Sequence, residues 1–520
     1  MVPERRRAAG SRVGGLACLG VGLALAGGLR AAPAGAEAAR ELPPRIQPDY
    51  RDVVIPPNIA PLNFSVNEAG DAFAATLRSS AGAPIEIASR HPTITIPETA
   101  WHRLLELNQD ADLLVEVRTR DASGQWTRFA TITNHIAHDP VDPFLIYRKI
   151  HPAHNTWSSM GLYQRDLRSF TETPVLENRR FAGDCCHCHA LRNNDPRTAT
   201  VDIRSQHYEN RLLLLNNGVV TALRGTVGIV AWHPTGRVIA ASFSKPRLVI
   251  HVARNDMRDI AELEGWLGYF RLGSNVVRRI PGLADETRLL AFPAWSPDGR
   301  FLYYCNAPSP WTNMARLTAT SHTVAKYDLM RVAYDIEQDH WGQPETVLAA
   351  GRSGFSVAQP RISPDGHWLF FCSIGYGCWP TYDRDSDLHG IDLLVGAATG
   401  KFTSRKLELN SDECESWLSW SANSRWVVFS SKRLSPLFNR PFFAHVAADG
   451  TCSKPFLLPQ ADPHFYDGLL RTYTIPTLAI GPLTVPERDL VAAIKDATAL
   501  PLVMPTAKAP TKEDVYEEGH

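Results

Sequence analysis

The chain has 520 residues, with 54 basic and 54 acidic side chains and a formal net charge of zero. This balance gives no reason to expect binding to nucleic acid or to an acidic membrane surface. Its length is sufficient for two or three domains.

The amino terminus has the pattern of a secretory signal peptide. Arg5, Arg6 and Arg7 precede an apolar stretch at residues 13–29, and small residues at 34–36 offer a cleavage site. A membrane anchor and a lipid on Cys18 are the alternatives, but the apolar stretch is short and rich in Gly and Ala. We predict a signal peptide at residues 1–36, export to the periplasm or beyond, and no transmembrane span after cleavage.

Residues 37–150 are predicted to form a β-sandwich-like domain. Short segments with alternating polarity, such as 72–77 and 113–117, are separated by turn residues. One short helix is expected at residues 99–108.

The segment Cys185-Cys186-His187-Cys188-His189 contains one C-x-x-C-H unit, the attachment motif of c-type haem. Two thiols three residues apart, Cys185 and Cys188, suit the two vinyl groups of one porphyrin, and His189 is placed to bind the iron. We therefore predict one covalent haem c in a segment at residues 151–210. A tetrahedral zinc site, a disulfide cluster and chance are the alternatives, although no second C-x-x-C pair is present to complete a zinc site.

An electron carrier needs a second axial ligand on the iron, and Met or His is the usual choice. Met160 precedes the motif by a short distance and His207 follows it. We predict Met160 as this ligand, with His207 as the alternative and an open sixth position as the third possibility.

Four segments in the carboxyl-terminal half align as a repeat. Their turns lie at Pro234-Thr235-Gly236, Pro297-Asp298-Gly299, Pro364-Asp365-Gly366 and Ala422-Asn423-Ser424, and an apolar run follows each turn. Each unit reads as a strand, a tight turn and a returning strand. Repeated units of this kind predict a β-propeller at residues 211–482, with five to seven blades and a tail at 483–520.

Long loops follow the second strand of several units, at residues 307–325, 374–384 and 434–440, and are expected on one face. They are rich in aromatic residues. Asp383, Asp385 and Asp387 resemble part of a calcium loop but lack its Gly and closing Glu. Outside the haem motif the mature chain has five further cysteines, and Cys372 and Cys378 are spaced for a local disulfide. These five are Cys305, Cys372, Cys378, Cys414 and Cys452.

The W-S-P-D-G-R turn at Trp295–Arg300 and its repeats resemble those of TolB-like propellers. Together with the haem motif, the mature chain resembles bacterial exported proteins that carry a single c-type haem ahead of such a propeller. The resemblance implies a mainly β fold and haem binding. It implies little about the biochemical function.

Three functions are consistent with these features. The first is a periplasmic electron-transfer protein whose propeller docks a redox partner protein or a small-molecule electron donor or acceptor. The second is a haem enzyme with an open iron site that acts on peroxide or a small reductant. The third is a propeller binding module whose haem is structural or sensory.

Overall fold

The computed structural model describes residues 38–152, 156–250, 258–311 and 321–505. The predicted signal peptide lies outside these ranges. No helix within the described residues is long and apolar enough to cross a membrane.

The amino-terminal domain contains two sheets and one helix. Its strands are β1 (Ala38–Ala39), β2 (Ile46–Gln47), β3 (Val54–Ile55), β4 (Phe64–Val66), β5 (Ala72–Arg78), β6 (Ile85–Ser89), β7 (Thr93–Ile94), β8 (Ala111–Arg120), β9 (Trp126–Arg128) and β10 (Ile132–Ile136), with helix α1 (Glu98–Leu107) between β7 and β8. Strand β8 pairs with β5, β9 and β10, and its buried side chains alternate with exposed ones. The Trp101 indole on α1 is fully buried and donates to the Ile59 carbonyl. The predicted two-layer β domain and its helix are confirmed.

The rest of the chain forms six four-stranded blades. The strands are β11 (Phe144–Ile150), β12 (Gly161–Asp166) and β13 (Glu172–Glu177) in blade 1; β14 (Cys185–Arg192), β15 (Asp195–Arg204), β16 (Arg211–Asn216) and β17 (Val219–Arg224) in blade 2; β18 (Val230–Trp232), β19 (Val238–Ile250), β20 (Arg258–Arg271) and β21 (Arg278–Arg279) in blade 3; β22 (Arg288–Trp295), β23 (Phe301–Pro308), β24 (Asp328–Asp335) and β25 (His340–Leu348) in blade 4; β26 (Ser356–Ile362), β27 (Trp368–Ile374), β28 (Asp387–Asp392) and β29 (Ser404–Lys406) in blade 5; β30 (Glu415–Trp420), β31 (Trp426–Ser431), β32 (Arg440–His445) and β33 (Phe456–Leu457) in blade 6. Two short helices, α2 (Ala350–Ser353) and α3 (Leu393–Thr399), lie in blades 4 and 5.

The ring is closed by strand β34 (Thr472–Ala479), which pairs antiparallel with β11 and becomes the innermost strand of blade 1. The innermost strands β14, β18, β22, β26, β30 and β34 contact one another in sequence around the channel. A propeller closed in this way has no free sheet edge between its first and last blades.

This topology corrects the predicted domain limits. The propeller begins at Phe144, so the expected boundaries at residues 150 and 211 fall inside it. Strands β16 and β17 complete blade 2, and the ring is closed in blade 1 by β34. The haem motif is therefore part of a propeller blade and not a separate segment ahead of the propeller.

The four repeat turns lie between the first and second strands of blades 3 to 6, as predicted. Gly236, Gly299 and Gly366 have φ angles of +74°, +73° and +76°, which glycine adopts without a Cβ penalty. Ser424 takes the same place in blade 6 with φ of +61°. The serine before the Pro-Asp-Gly turn accepts from the backbone across it, as Ser296 Oγ does from Phe301 N at 3.0 Å.

The segment after the propeller adds helix α4 (Glu487–Lys495) and strand β35 (Leu500–Pro501). Leu490 and Ile494 on α4 are buried in the core shared by blades 1 and 2, and β35 pairs parallel with β17. The part of the predicted tail that the structure describes is thus packed on the propeller.

The amino-terminal domain and the connection that follows it pack against blade 6. The Trp426 indole donates to the Asp139 carbonyl at 2.9 Å, and the Ala422 amide donates to the Asp142 carboxylate at 3.0 Å. The Asn63 amide donates to the Ala461 carbonyl at 3.0 Å. These contacts hold the domain beside the repeat turn of the last blade.

Candidate functional site

Two cavities, of about 400 and 370 Å³, lie along the propeller channel. We call the first the lower cavity and the second the upper cavity. The lower cavity is lined by residues from all six innermost strands and the turns that follow them. Five residues line both cavities and mark the place where they meet: Cys188, Gly228, Ile229, Trp417 and Ile475.

The haem motif lies on β14, the innermost strand of blade 2, beside this junction. Cys186 pairs with Ile203 and His189 with Val201, so His187 and Cys188 together face the single residue Asp202. This is a β-bulge, which bends a strand and re-aims its side chains. In consequence the consecutive residues His187, Cys188 and His189 all line one cavity or the other.

Cys185 is buried next to the Arg148 guanidinium from blade 1. Arg148 Nη2 lies 3.6 Å from Cys185 Sγ, and its Nε donates to the Cys186 carbonyl at 2.9 Å. Arg148 lines the upper cavity and is itself buried. A positive charge is thus placed against the thiols of the motif.

His187 and Cys188 form a polar pair supported by a buried carboxylate. His187 Nδ1 lies 3.1 Å from Asp202 Oδ2, and Arg204 Nε lies 3.0 Å from the same oxygen. Cys188 and Asp202 outweigh burial and raise the pKa of His187 to about 10. Burial opposes ionisation of Cys188, but His187 and Arg148 prevail and lower the pKa of its thiol. The Cys188 thiol therefore ionises more readily than the Cys186 thiol, because burial raises the pKa of Cys186.

His189 faces the lower cavity, and its Nε2 lies 3.0 Å from Thr477 Oγ1 on β34. Burial and the nearby Arg148 lower the pKa of His189 to about 3, so the imidazole is neutral at physiological pH. The neutral imidazole is the form that binds a metal ion.

The structure does not bring the two predicted sixth ligands to these cavities. Met160 is buried directly before β12 of blade 1, where its carbonyl accepts from the Asn178 backbone amide, and it lines neither cavity. The His207 side chain is 57% exposed and its Nδ1 lies 3.0 Å from Asp184 Oδ1. The Asp184 pairing holds His207 at the surface.

The other cysteine and metal hypotheses have clear outcomes. Cys372 and Cys378 are both free and buried, so the local disulfide is absent, and the other six cysteines of the described residues are free as well. Asp387 is paired with Lys406 at 2.7 Å. Nowhere in the described ranges do three or more His, Cys, Asp or Glu side chains converge on a metal position.

Four non-glycine residues with positive φ occur at equivalent points of the innermost strands. They are Phe292, Gln359, Trp417 and Ile475, with φ between +51° and +53°. Strand pairing shifts register at this point in blades 4, 5 and 6. Phe292, Gln359 and Trp417 lie four residues before the serine of the repeat turn. Strain of this kind persists only where the surrounding packing enforces it, and it clusters at functional sites.

The upper cavity has an aromatic wall and one buried carboxylate. The Phe292, Trp379 and Trp417 rings contact one another, with centroids 5.4 to 6.4 Å apart. Glu262 on β20 is 6% exposed, and its Oε1 accepts from Trp379 Nε1 at 2.6 Å. Its Oε2 has no well-aligned hydrogen bond with the described residues, although the Ser244 hydroxyl is near enough to oppose the rise in the pKa of Glu262. Burial raises the pKa of Glu262 to about 7.

Aromatic residues of the predicted long loops converge on β20, the strand that carries Glu262. Trp311 Nε1 donates to the Glu262 carbonyl at 2.7 Å, and the Tyr376 hydroxyl donates to Asp259 Oδ2 at 2.7 Å. Trp379 comes from the same loop as Tyr376. Residues of the 307–325 and 374–384 loops thus meet at the upper cavity.

The raised pKa of Glu262 predicts a pH-dependent stability difference. Between pH about 4.5 and about 7 the folded chain holds a proton that the unfolded chain releases, so ionisation of Glu262 destabilises the fold as pH rises. We expect Glu262→Gln to gain free energy of unfolding relative to the natural chain between pH about 5 and about 7.5, measured by urea unfolding. Glu264→Gln, at an exposed acid two residues away, is the control and should show no such change. A Glu262→Gln difference that is independent of pH would contradict the burial argument.

Several residues of this site were not found by sequence reasoning. Arg148, Asp202 and Glu262 are single charged residues within strand patterns, and nothing local distinguishes them from solvent-facing ones. Phe292 and Trp417 could have been noticed, because they precede the repeat-turn serine by four residues in successive units. The long-loop aromatic Trp379 was noticed as unusual.

Comparisons with solved structures give distant similarities. TolB from Acinetobacter baumannii aligns with 13% identity and a TM-score of 0.40 over 71% of this chain and 79% of TolB. Puromycin hydrolase has 13% identity and a TM-score of 0.35, over 59% of this chain and 46% of the hydrolase. Oligogalacturonate lyase from Vibrio parahaemolyticus has 12% identity and a TM-score of 0.32, over 74% of this chain and all of the lyase. No family model and no curated protein matches the chain.

The fold assignment rests on the strand pairing itself. Six four-stranded sheets around a channel, closed by β34 on β11, define a six-bladed β-propeller. The chain is thus a β-propeller protein with a preceding β domain. The C-x-x-C-H unit lies on an innermost strand of this propeller.

Proposed function

We propose that the chain is an exported c-type haem protein whose haem is held inside the propeller. Cys185 and Cys188 would form the two thioethers and His189 would bind the iron. The observation that supports this proposal most strongly is the location of the motif: all three side chains are buried on β14, Cys188 lies at the junction of the two channel cavities, and His189 lines the lower one.

The residues present fit such a group in chemistry and in space. Cys188 and His189 line the lower cavity, and Cys188 lines the upper one as well. His189 carries a neutral imidazole, and the Cys188 thiol is activated by His187 and Arg148. His189 would exchange its contact with the Thr477 hydroxyl for the iron.

A bound haem would supply one-electron oxidation and reduction at its iron. The channel walls would exclude bulk water from it, and Arg148 would hold positive charge beside its attachment point. Electron transfer with a redox partner protein or a small donor or acceptor is the first task that we propose. The signal-peptide pattern at residues 1–36 supports export, since covalent haem is normally joined after export.

A haem enzyme with an open iron position is the second candidate, and a specific observation favours it. Neither Met160 nor His207 lines a cavity, whereas the motif residues border about 400 and 370 Å³ of space. An iron without a protein ligand on its second side is free to bind small molecules.

The spectrum of the haem distinguishes the two tasks. An open iron position predicts a ferric protein that is high-spin and binds cyanide, with both properties unchanged in Met160→Ala and His207→Ala. Optical and paramagnetic resonance spectra of the three proteins make this comparison. A low-spin spectrum that turns high-spin in Met160→Ala would instead establish Met160 as the ligand and favour electron transfer.

A further inference from the structure

We propose that the upper cavity is a binding site for a small organic ammonium cation. The residues that would recognise it are Glu262 and the aromatic rings of Phe292, Trp379 and Trp417. His187 and Cys188 of the C-x-x-C-H unit also line this cavity, but the four residues that would recognise the cation lie outside that unit.

The aromatic wall has the geometry that suits a cation. Three rings from three parts of the chain meet with centroid separations of 5.4, 6.2 and 6.4 Å at large interplanar angles. Such an arrangement presents ring faces to an enclosed space, and ring faces attract ammonium groups most strongly when both partners are desolvated. Phe292 and Trp417 occupy their places in left-handed backbone conformations, which cost free energy that packing must offset.

Glu262 supplies the counter-charge. The side chain lines the cavity, Trp379 fixes one carboxylate oxygen at 2.6 Å, and the other oxygen is buried with no hydrogen-bond partner among the described residues. A buried acceptor without a partner is costly, and a ligand that brings positive charge removes this cost. The Thr381 hydroxyl in the same lining is likewise buried without a described partner, so it can bind a polar group on the ligand.

Of the two arginines that line the cavity, Arg204 is compensated by the Asp202 carboxylate, and Arg148 is hydrogen-bonded to the strand that carries the haem motif. Arg148 is held by the Cys186 carbonyl and Cys185 sulfur, and Arg204 is paired with Asp202 at 3.0 Å. The cavity volume of about 370 Å³ admits a quaternary ammonium group with a short polar arm.

Choline and its uncharged isostere 3,3-dimethylbutan-1-ol test the proposal on the full mature chain, by calorimetry and by quenching of tryptophan fluorescence. We expect choline to bind at least tenfold more tightly than the isostere, since only the charge differs. Glu262→Gln and Trp379→Leu should each weaken choline binding about tenfold or more. The controls Glu264→Gln and Trp266→Leu change an acid and an indole of the same strand that do not line the cavity, and should leave affinity unchanged.

Equal binding of choline and the isostere, or no binding of either, would overturn the proposal. So would equal losses in the Glu262 and Glu264 variants. Because haem content is read separately from the absorption spectrum, a haem-free protein that still discriminates choline from the isostere would support this site while contradicting the proposed haem function.

Discussion

Replacing Cys185 or Cys188 with alanine should abolish the double thioether attachment of haem, and replacing both should release all haem into acid–acetone. The reason is that Cys188 lies in the bulge on β14, where His187 and Arg148 activate its thiol, and Cys185 lies three residues before it on the same strand. The pyridine haemochrome spectrum reports how many vinyl groups remain unreacted.

Cys186→Ala is the matched control for this experiment. Cys186 lies between the other two cysteines but packs into the core between blades 1 and 2 with Phe181 and Val201. We expect it to retain doubly attached haem. Loss of attachment in Cys186→Ala together with retention in Cys188→Ala would show that the register assigned to the motif is wrong.

Ending the chain after Gln460 should remove the cooperative melting transition of the whole propeller. This truncation deletes β34, which supplies the innermost strand of blade 1 and contacts the neighbouring innermost strands β14 and β30. Loss of Ile475 and Leu478 from the core alone removes roughly 3 to 6 kcal/mol. That loss is comparable with the total stability of many domains, about 5 to 15 kcal/mol.

A chain that ends at residue 505 is the control for truncation, because it keeps β34, α4 and β35. We expect its calorimetric transition to match that of the longer chain. An unchanged transition in the chain that ends at Gln460 would mean that β34 does not close the ring.

The propeller could be predicted because the same kind of tight turn, followed by an apolar strand, recurs in four of its blades. Each Pro-Asp-Gly turn needs a glycine with positive φ, and each is followed by a β-branched or aromatic strand. The same reasoning failed at blades 1 and 2, which have no such turn. Their strands were therefore assigned to a separate segment, and only the pairing of β34 with β11 shows that the ring begins at Phe144.

The candidate site was predictable only where the chemistry of haem attachment sets the spacing of residues along the sequence. The thiol spacing of Cys185 and Cys188 identified the motif, whereas the sixth-ligand prediction used proximity in sequence. Met160 and His207 are near the motif along the chain, but Met160 is buried in blade 1 and His207 is paired with Asp184 at the surface. Arg148, Asp202 and Glu262 reach the cavities through strand pairing between distant segments, which no local pattern reveals.

The most direct test of haem attachment in the channel is peptide mapping of the mature protein produced with the haem-maturation machinery. We predict one haem per chain, covalently bound to the peptide that contains Cys185, Cys188 and His189, with Cys186 the only alkylatable thiol in that peptide. A haem-free peptide in which all three thiols react with the alkylating agent would contradict the account.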